Sequence, residues 1–170
     1  MTTLSQNSFV RGELFNVRRS GPAYRVSSKK LTPSQAAGIR FEKKVGTHLE
    51  ILTKSLDAKL EKNSWFQYRD ENGPHACSPD FIFIYDGMVI VIEVKVTWLP
   101  SAISKLRNLY IPVVNRILRP EKIGGIVICK NLTPEAGKFP IITSSLRHAI
   151  KAPFGAIPTL HWPLEMPISF

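Results

Sequence analysis

Two apolar, β-branched runs, Phe81 to Ile84 and Met88 to Val94, are separated only by Tyr85-Asp86-Gly87. An Asp-Gly pair between such runs is the strongest short-range hairpin signal a chain can carry. With Asp86-Gly87 as a two-residue turn, Tyr85 faces Met88, Ile84 faces Val89, Ile82 faces Val91 and Asp80 faces Glu93. Two carboxylates then stand side by side at a spacing of about 5 Å, where like charges are destabilising unless something compensates them. Side chains alternate along a strand, so Lys95 points to the same face as Glu93. An Asp, a Glu and a Lys on one face of an otherwise apolar hairpin have the makeup of a divalent-metal site with a lysine beside it. The bland alternative is a set of charges that blunts an exposed edge strand. The unbroken apolar run at the remaining positions argues against it.

A chain of 170 residues is long enough for one domain with a full hydrophobic core. Lys and Arg number 23 against 13 Asp and Glu, a formal charge of +10 that favours polyanionic partners, above all nucleic acid. The two cysteines, Cys77 and Cys129, form no Cys-x-x-Cys pair, so they read as core thiols rather than as a zinc or iron–sulfur site. The first dozen residues are polar, and no apolar run approaches the roughly 20 residues that span a bilayer. The expectation is a soluble, cytoplasmic protein that makes no use of a membrane.

Residues 1–30 read as a basic N-terminal arm, with Arg11, Arg18, Arg19, Arg25, Lys29 and Lys30 against the single acid Glu13. Such an arm suits a solvated tail, a phosphate-binding segment or an element exchanged with a second subunit of a homodimer. Residues 31–152 read as the core and 153–170 as a Pro-rich tail. Thr32-Pro33-Ser34-Gln35 has the form of a capping box. After it Ala37, Gly38, Phe41, Val45, Leu49, Leu52 and Leu56 trace one apolar stripe of a helix running to about Lys59. Of the three acids near this helix, Glu42 lies at the edge of the stripe, Glu50 points the opposite way and Glu61 falls past the end. Only Glu42 is placed to reach the hairpin.

Ser64 to Arg69 reads as a short strand, and Asp70 to Pro74 as a turn leading into the hairpin. Ile103, Leu106, Tyr110, Val113 and Ile117 recur at helical spacing, with Lys105 and Arg107 off that stripe and Pro112 forcing a kink or restart. Ile123 to Lys130 is a continuous apolar run suited to a strand covered on both faces. Reached through a helix, it should lie parallel to a hairpin strand in a right-handed crossover. A short strand at Ile141 to Thr143, a basic helix over Ser145 to Lys151 and a strand at Thr159 to Trp162 complete the reading.

The order helix, three-strand meander, helix, strand, with Glu42 on the first helix and Pro79-Asp80 leading to Glu93-Val94-Lys95, resembles the PD-(D/E)xK nuclease superfamily over roughly residues 31–132. The run His75-Ala76-Cys77-Ser78-Pro79-Asp80-Phe81 is similar to the approach to the site in small phage-type junction-resolving endonucleases. The resemblance implies an α/β fold: a restriction-endonuclease-like core with a mixed central sheet flanked by helices. It implies a metal-dependent nuclease acting on DNA, structure-selective for branched or junction DNA. Glu42, Asp80, Glu93 and Lys95 would be catalytic, with Mg²⁺ or Mn²⁺ on Asp80, Glu93, the Val94 carbonyl and Glu42. Lys95 would orient or deprotonate water, its pKa lowered by desolvation and the nearby cation, or stabilise the transition state. Arg18, Arg19, Arg25, Lys29, Lys30, Lys105 and Arg107 would grip the DNA backbone. The competing readings are a nucleic-acid-binding module that keeps the fold without turnover and a nuclease acting on DNA ends or RNA.

Overall fold

A computed structural model describes residues 14–22, 30–134, 142–152, 156–163 and 166–170. Arg25 and Lys29 lie outside the described residues. The protein is a mixed α/β structure with two sheets. The long helix α1 (Pro33–Leu56) begins on the capping box read from the sequence: the Gln35 N–H donates to Thr32 Oγ1 at 3.2 Å and the Thr32 N–H to Gln35 Oε1 at 2.9 Å. It stops three residues earlier than the periodicity predicts, because Asp57 takes a left-handed cap conformation (φ 52°).

The residues freed by that early stop become a strand. β2 (Lys59–Lys62) pairs antiparallel with β5 (Phe81–Tyr85), which pairs antiparallel with β6 (Met88–Thr97). The hairpin register is the one required of a two-residue turn, with Phe81 opposite Ile92 and Tyr85 opposite Met88. Asp86 (φ 47°) and Gly87 (φ 70°) both have positive φ, as a type I′ turn demands. β6 runs parallel to β7 (Lys122–Asn131), and β7 parallel to β9 (Thr159–His161), which lies beside the two-residue β8 (Ile142–Thr143). The six-stranded order is therefore β2-β5-β6-β7-β9-β8.

The meander differs from the sequence expectation. The strand beside the hairpin is the short polar β2, whereas β3 (Trp65–Asp70) and β4 (Gly73–Cys77) form a separate three-stranded sheet with β1 (Phe15–Ser20). Backbone pairing decided this: β1 supplies β3 with a ladder, at Arg18 with Gln67 and Ser20 with Trp65, that no local signal in residues 1–30 announces. Part of the expected arm is thus a strand of the body. The expected tail likewise supplies β9, an inner strand of the main sheet.

Both faces of the main sheet are covered, which accounts for the continuous apolar runs. On one face Phe41, Val45 and Leu49 of α1 pack on Phe81, Phe83, Ile90, Ile92, Ile126 and Ile128. On the other, Val89, Val91, Ile82 and Val127 meet Leu106, Tyr110 and Val113 of the helical segment that follows β6. That segment is α2 (Pro100–Lys105), a π turn (Leu106–Tyr110) and α3 (Ile111–Leu118). Pro112 has no N–H to return to the carbonyl of Asn108 four residues back. The helix answers with the wider turn, in which the Ile111 N–H bonds to the Leu106 carbonyl. The basic helix near the C-terminus is a single turn, α4 (His148–Lys151), packed directly on β7. Cys77 and Cys129 are buried free thiols. Among the described residues no helix is long and apolar enough to cross a membrane.

Two glycines give opposite expectations. A Cβ on Gly124 would come within 2.0 Å of the Ala149 carbonyl oxygen, whereas one on Gly38, within α1, meets nothing within 4 Å. Denaturant unfolding should show Gly124→Ala destabilised by about 1–3 kcal/mol, as overpacking against backbone requires. Gly38→Ala should gain roughly 0.5–1 kcal/mol through helix propensity and unfolded-state entropy.

Candidate active site

β5 begins at Phe81, so Asp80 sits just ahead of it, where the ladder ends. Asp80 Oδ2 accepts the Val94 N–H at 2.7 Å and so takes the place of a backbone partner. Glu93 lies on the face of β6 shared with Val89 and Val91 and is fully buried, 0% exposed. Its Oε1 accepts Lys95 Nζ at 2.6 Å and Lys105 Nζ at 3.3 Å, while its Oε2 is buried with no hydrogen-bond partner among the described residues. An uncompensated buried carboxylate oxygen costs free energy, and native structures retain such atoms mainly where a function or an ion uses them.

Glu42 reaches this cluster from α1. It lines two clefts that both include Asp80: one of about 510 Å³ with Tyr68, Lys105 and Tyr110, and one of about 560 Å³ with Ile39, Val94 and Lys95. Asp80 and Glu42 therefore form the divide between two openings. The electrostatics follow from crowding. Burial first, then the charge of Glu93, lift the Asp80 carboxyl from 3.8 to about 7, against the opposing pull of the Val94 N–H and Lys95. Burial and Glu93 raise Glu42 as well, with Lys95 again opposing.

Lys95 is pulled in two directions in the metal-free protein. Burial does act to lower its pKa, but the charge and hydrogen bond of Glu93, with Asp80 and Glu42 behind it, outweigh burial and hold it above the ordinary lysine value. It is an ammonium and a donor here, not a poised base. Val94 meets Asp80 through its N–H. Among the described residues no three His, Cys, Asp or Glu side chains are grouped as a ready cage for a metal. The residues fit an oxygen-preferring cation in a narrower sense. Glu93 offers an unpartnered oxygen, and Asp80 and Glu42 are two carboxylates whose charge nothing nearby fully offsets.

The residues assigned to backbone binding divide. Arg18 is tied to Gln67 Oε1 through Nε at 3.1 Å and Nη2 at 2.7 Å. Arg19 is held in a two-pronged pair with Glu61 at 2.9 and 3.2 Å and lies over the Phe66 ring. Strand pairing of β1 turned both from tail cations into anchors of the small sheet. Lys30 and Arg107 are exposed. Lys105 reaches inward to Glu93 while its side chain remains partly exposed on a cleft wall. Two features escape sequence reasoning. One is Tyr110, which joins the cleft wall because the π turn shifts its phase. The other is a small basic cleft of about 190 Å³ where Arg40 and Lys44 of α1 meet Lys130 of β7. The spacing of four between Arg40 and Lys44 is legible, but the arrival of Lys130 is not.

Comparison with family models, with curated proteins and with solved structures gives no match to this chain.

The raised carboxyls give the folded protein a pH dependence of defined sign. A carboxyl raised from 3.8 to about 7 contributes stability that is fully present below about pH 4 and lost as pH climbs through about 7. Glu42 adds in the same direction, and Lys95, raised above its usual range, stays charged throughout this window. In metal-free buffer the wild-type Tm should fall by several degrees between pH 5 and pH 8. Asp80→Asn, whose amide oxygen can still accept the Val94 N–H, should flatten that slope. Thermal melts of both proteins at matched ionic strength check it; parallel profiles would count against a crowded carboxylate pair.

Proposed function

We propose that this protein is a metal-dependent nuclease with a restriction-endonuclease-like core of the PD-(D/E)xK kind, hydrolysing phosphodiester bonds of DNA. The observation that carries the reading is Glu93: a fully buried carboxylate with one free oxygen, next to Asp80 across a hairpin and joined on its other oxygen to Lys95. A purely structural ion pair would not need a second carboxylate at Asp80 and a third at Glu42, since each raises the cost of charging the others.

Asp80, Glu93 and Glu42, with the Val94 carbonyl, are the groups that would hold Mg²⁺ or Mn²⁺. Such an ion supplies an activated water and offsets negative charge on the phosphate and leaving oxygen. The remaining work falls to side chains. Asp80, raised by burial and by Glu93 in the metal-free protein, would release its proton on taking up the ion, so that binding is coupled to pH. Lys95 spends one of three N–H donors on Glu93 and keeps the others for a phosphate oxygen or the attacking water, as an ammonium that donates and stabilises charge. Lys30, Arg107 and the Arg40, Lys44, Lys130 cleft supply cations for the sugar–phosphate backbone, contacts that position DNA without reading its sequence. That supports selection by DNA shape, and branched or junction DNA is the substrate class we favour.

A second reading, a nucleic-acid-binding module without turnover, draws on one observation: no three donor side chains are grouped for a metal among the described residues. A panel of four-way junctions, flaps, duplex and single strands in Mg²⁺ or Mn²⁺ separates the two. Wild type should cleave a branched substrate, and Asp80→Asn, Glu93→Gln and Lys95→Ala should each lose roughly 10³-fold or more, as expected when a metal ligand or charge-stabilising donor is removed. Calorimetry should detect Mn²⁺ uptake by wild type and not by Glu93→Gln. Inactivity of the wild type on every substrate, with no Mn²⁺ uptake, selects the binding module.

A further inference from the structure

Lys105 closes α2 and Tyr110 closes the π turn, five residues later. In an α-helix such residues diverge around the axis, whereas i to i+5 bonding brings them nearly into line. Lys105 Nζ accordingly lies 4.6 Å from the centroid of the Tyr110 ring. The same ammonium reaches Glu93 Oε1 at 3.3 Å, an atom that Lys95 already holds at 2.6 Å. Two cations on one oxygen repel each other, and the shorter contact alone suffices to pair it. The second lysine therefore has little to add to the folded state. An ammonium has three donors, and Glu93 Oε1 is the one acceptor of Lys105 among the described residues. The ring attracts the charge without accepting a conventional hydrogen bond. One third of the Lys105 side chain remains exposed, on the wall of the 510 Å³ cleft that Asp80 and Glu42 also line. A phosphodiester entering that cleft faces the carboxylates of Asp80 and Glu42, with Glu93 buried behind them, while Lys95 lines the neighbouring cleft; Lys105 is the lysine on this side.

Resting on the nuclease reading, we propose that this cleft seats the scissile phosphate and that Lys105 is a second catalytic lysine. It donates to a non-bridging phosphate oxygen from the Tyr110 wall, while Lys95 acts from β6. In the free protein Lys105 rests on Glu93, and the π turn holds it against the ring so that little reorganisation is needed when the phosphate arrives.

The test uses the full chain with Lys105→Ala and Lys105→Arg. It measures single-turnover cleavage of a branched DNA in Mn²⁺, the salt dependence of binding to the same fluorescein-labelled DNA in EDTA, and Tm. Lys105→Ala should cleave about 100-fold more slowly at saturating DNA, the scale of losing one charge-stabilising donor. Its plot of log affinity against log salt should be shallower by roughly 0.7–0.9, one phosphate contact. Its Tm should stay within about 2 °C of wild type, a structural effect under 1 kcal/mol. Lys105→Arg should restore the salt slope and part of the rate. An unchanged rate and slope overturns the proposal, and so does a rate loss explained by a fall in Tm. If wild type cleaves nothing, the nuclease reading falls and the salt slope alone decides the phosphate contact; if wild type binds no DNA, both fall.

Discussion

A fully buried carboxylate sets the terms for this structure. Glu93 has no exposure, and the desolvation of such an ion costs several kcal/mol even after relaxation. Lys95 two residues on offsets most of that cost through its short contact, and Lys105 from the following helix adds a longer one to the same oxygen. One oxygen is left over. The wall around Glu93 is therefore fixed from three directions: its own strand, the hairpin partner that carries Asp80, and the helical segment that carries Lys105. A one-residue slip of β6 against its hairpin partner would turn Glu93 and Lys95 to the other face and part them from Asp80.

The elements around that point serve it in different ways. α1 covers the opposite face of the sheet, yet Glu42 reaches the site because β5 starts only at Phe81 and leaves a gap beside Asp80. The π turn answers a backbone shortage made by Pro112 and in doing so sets Lys105 over Tyr110. The close seat of α4 on Gly124 and the insertion of β9 between β7 and β8 complete the core face that α1 covers. The same tight packing keeps water out and makes like charges costly. It thus produces both the stability of the sheet and the raised Asp80 and Glu42 carboxyls.

Legibility followed the range of the interaction responsible. The capping box at Thr32, the type I′ turn at Asp86-Gly87 and the parallel placement of β7 beside β6 rest on local chemistry or on runs too apolar to be anything but buried strand. β2 was hidden, because Lys59 to Lys62 continues a helical pattern until the left-handed cap at Asp57 ends it. β1 and the separate small sheet were hidden as well, since pairing between residues 15–20 and 65–70 is a long-range choice with no local signature. Arg18 and Arg19 looked like free cations for the same reason: their partners Gln67 and Glu61 come from strands whose positions the sequence does not declare.

By itself, then, the sequence determined the hairpin, its register and so the meeting of Asp80, Glu93 and Lys95, because strand alternation and a two-residue turn leave no freedom once they form. It also determined the helical phase that singles out Glu42 from Glu50. Only the tertiary structure decided that Glu93 would be wholly buried with a free oxygen, and that Lys105 would turn inward. It alone decided that Lys95 would be held as a strong ammonium rather than lowered towards a base. Those outcomes depend on the balance of desolvation against several charges brought together from distant parts of the chain, a balance that exists only once the packing around them is complete.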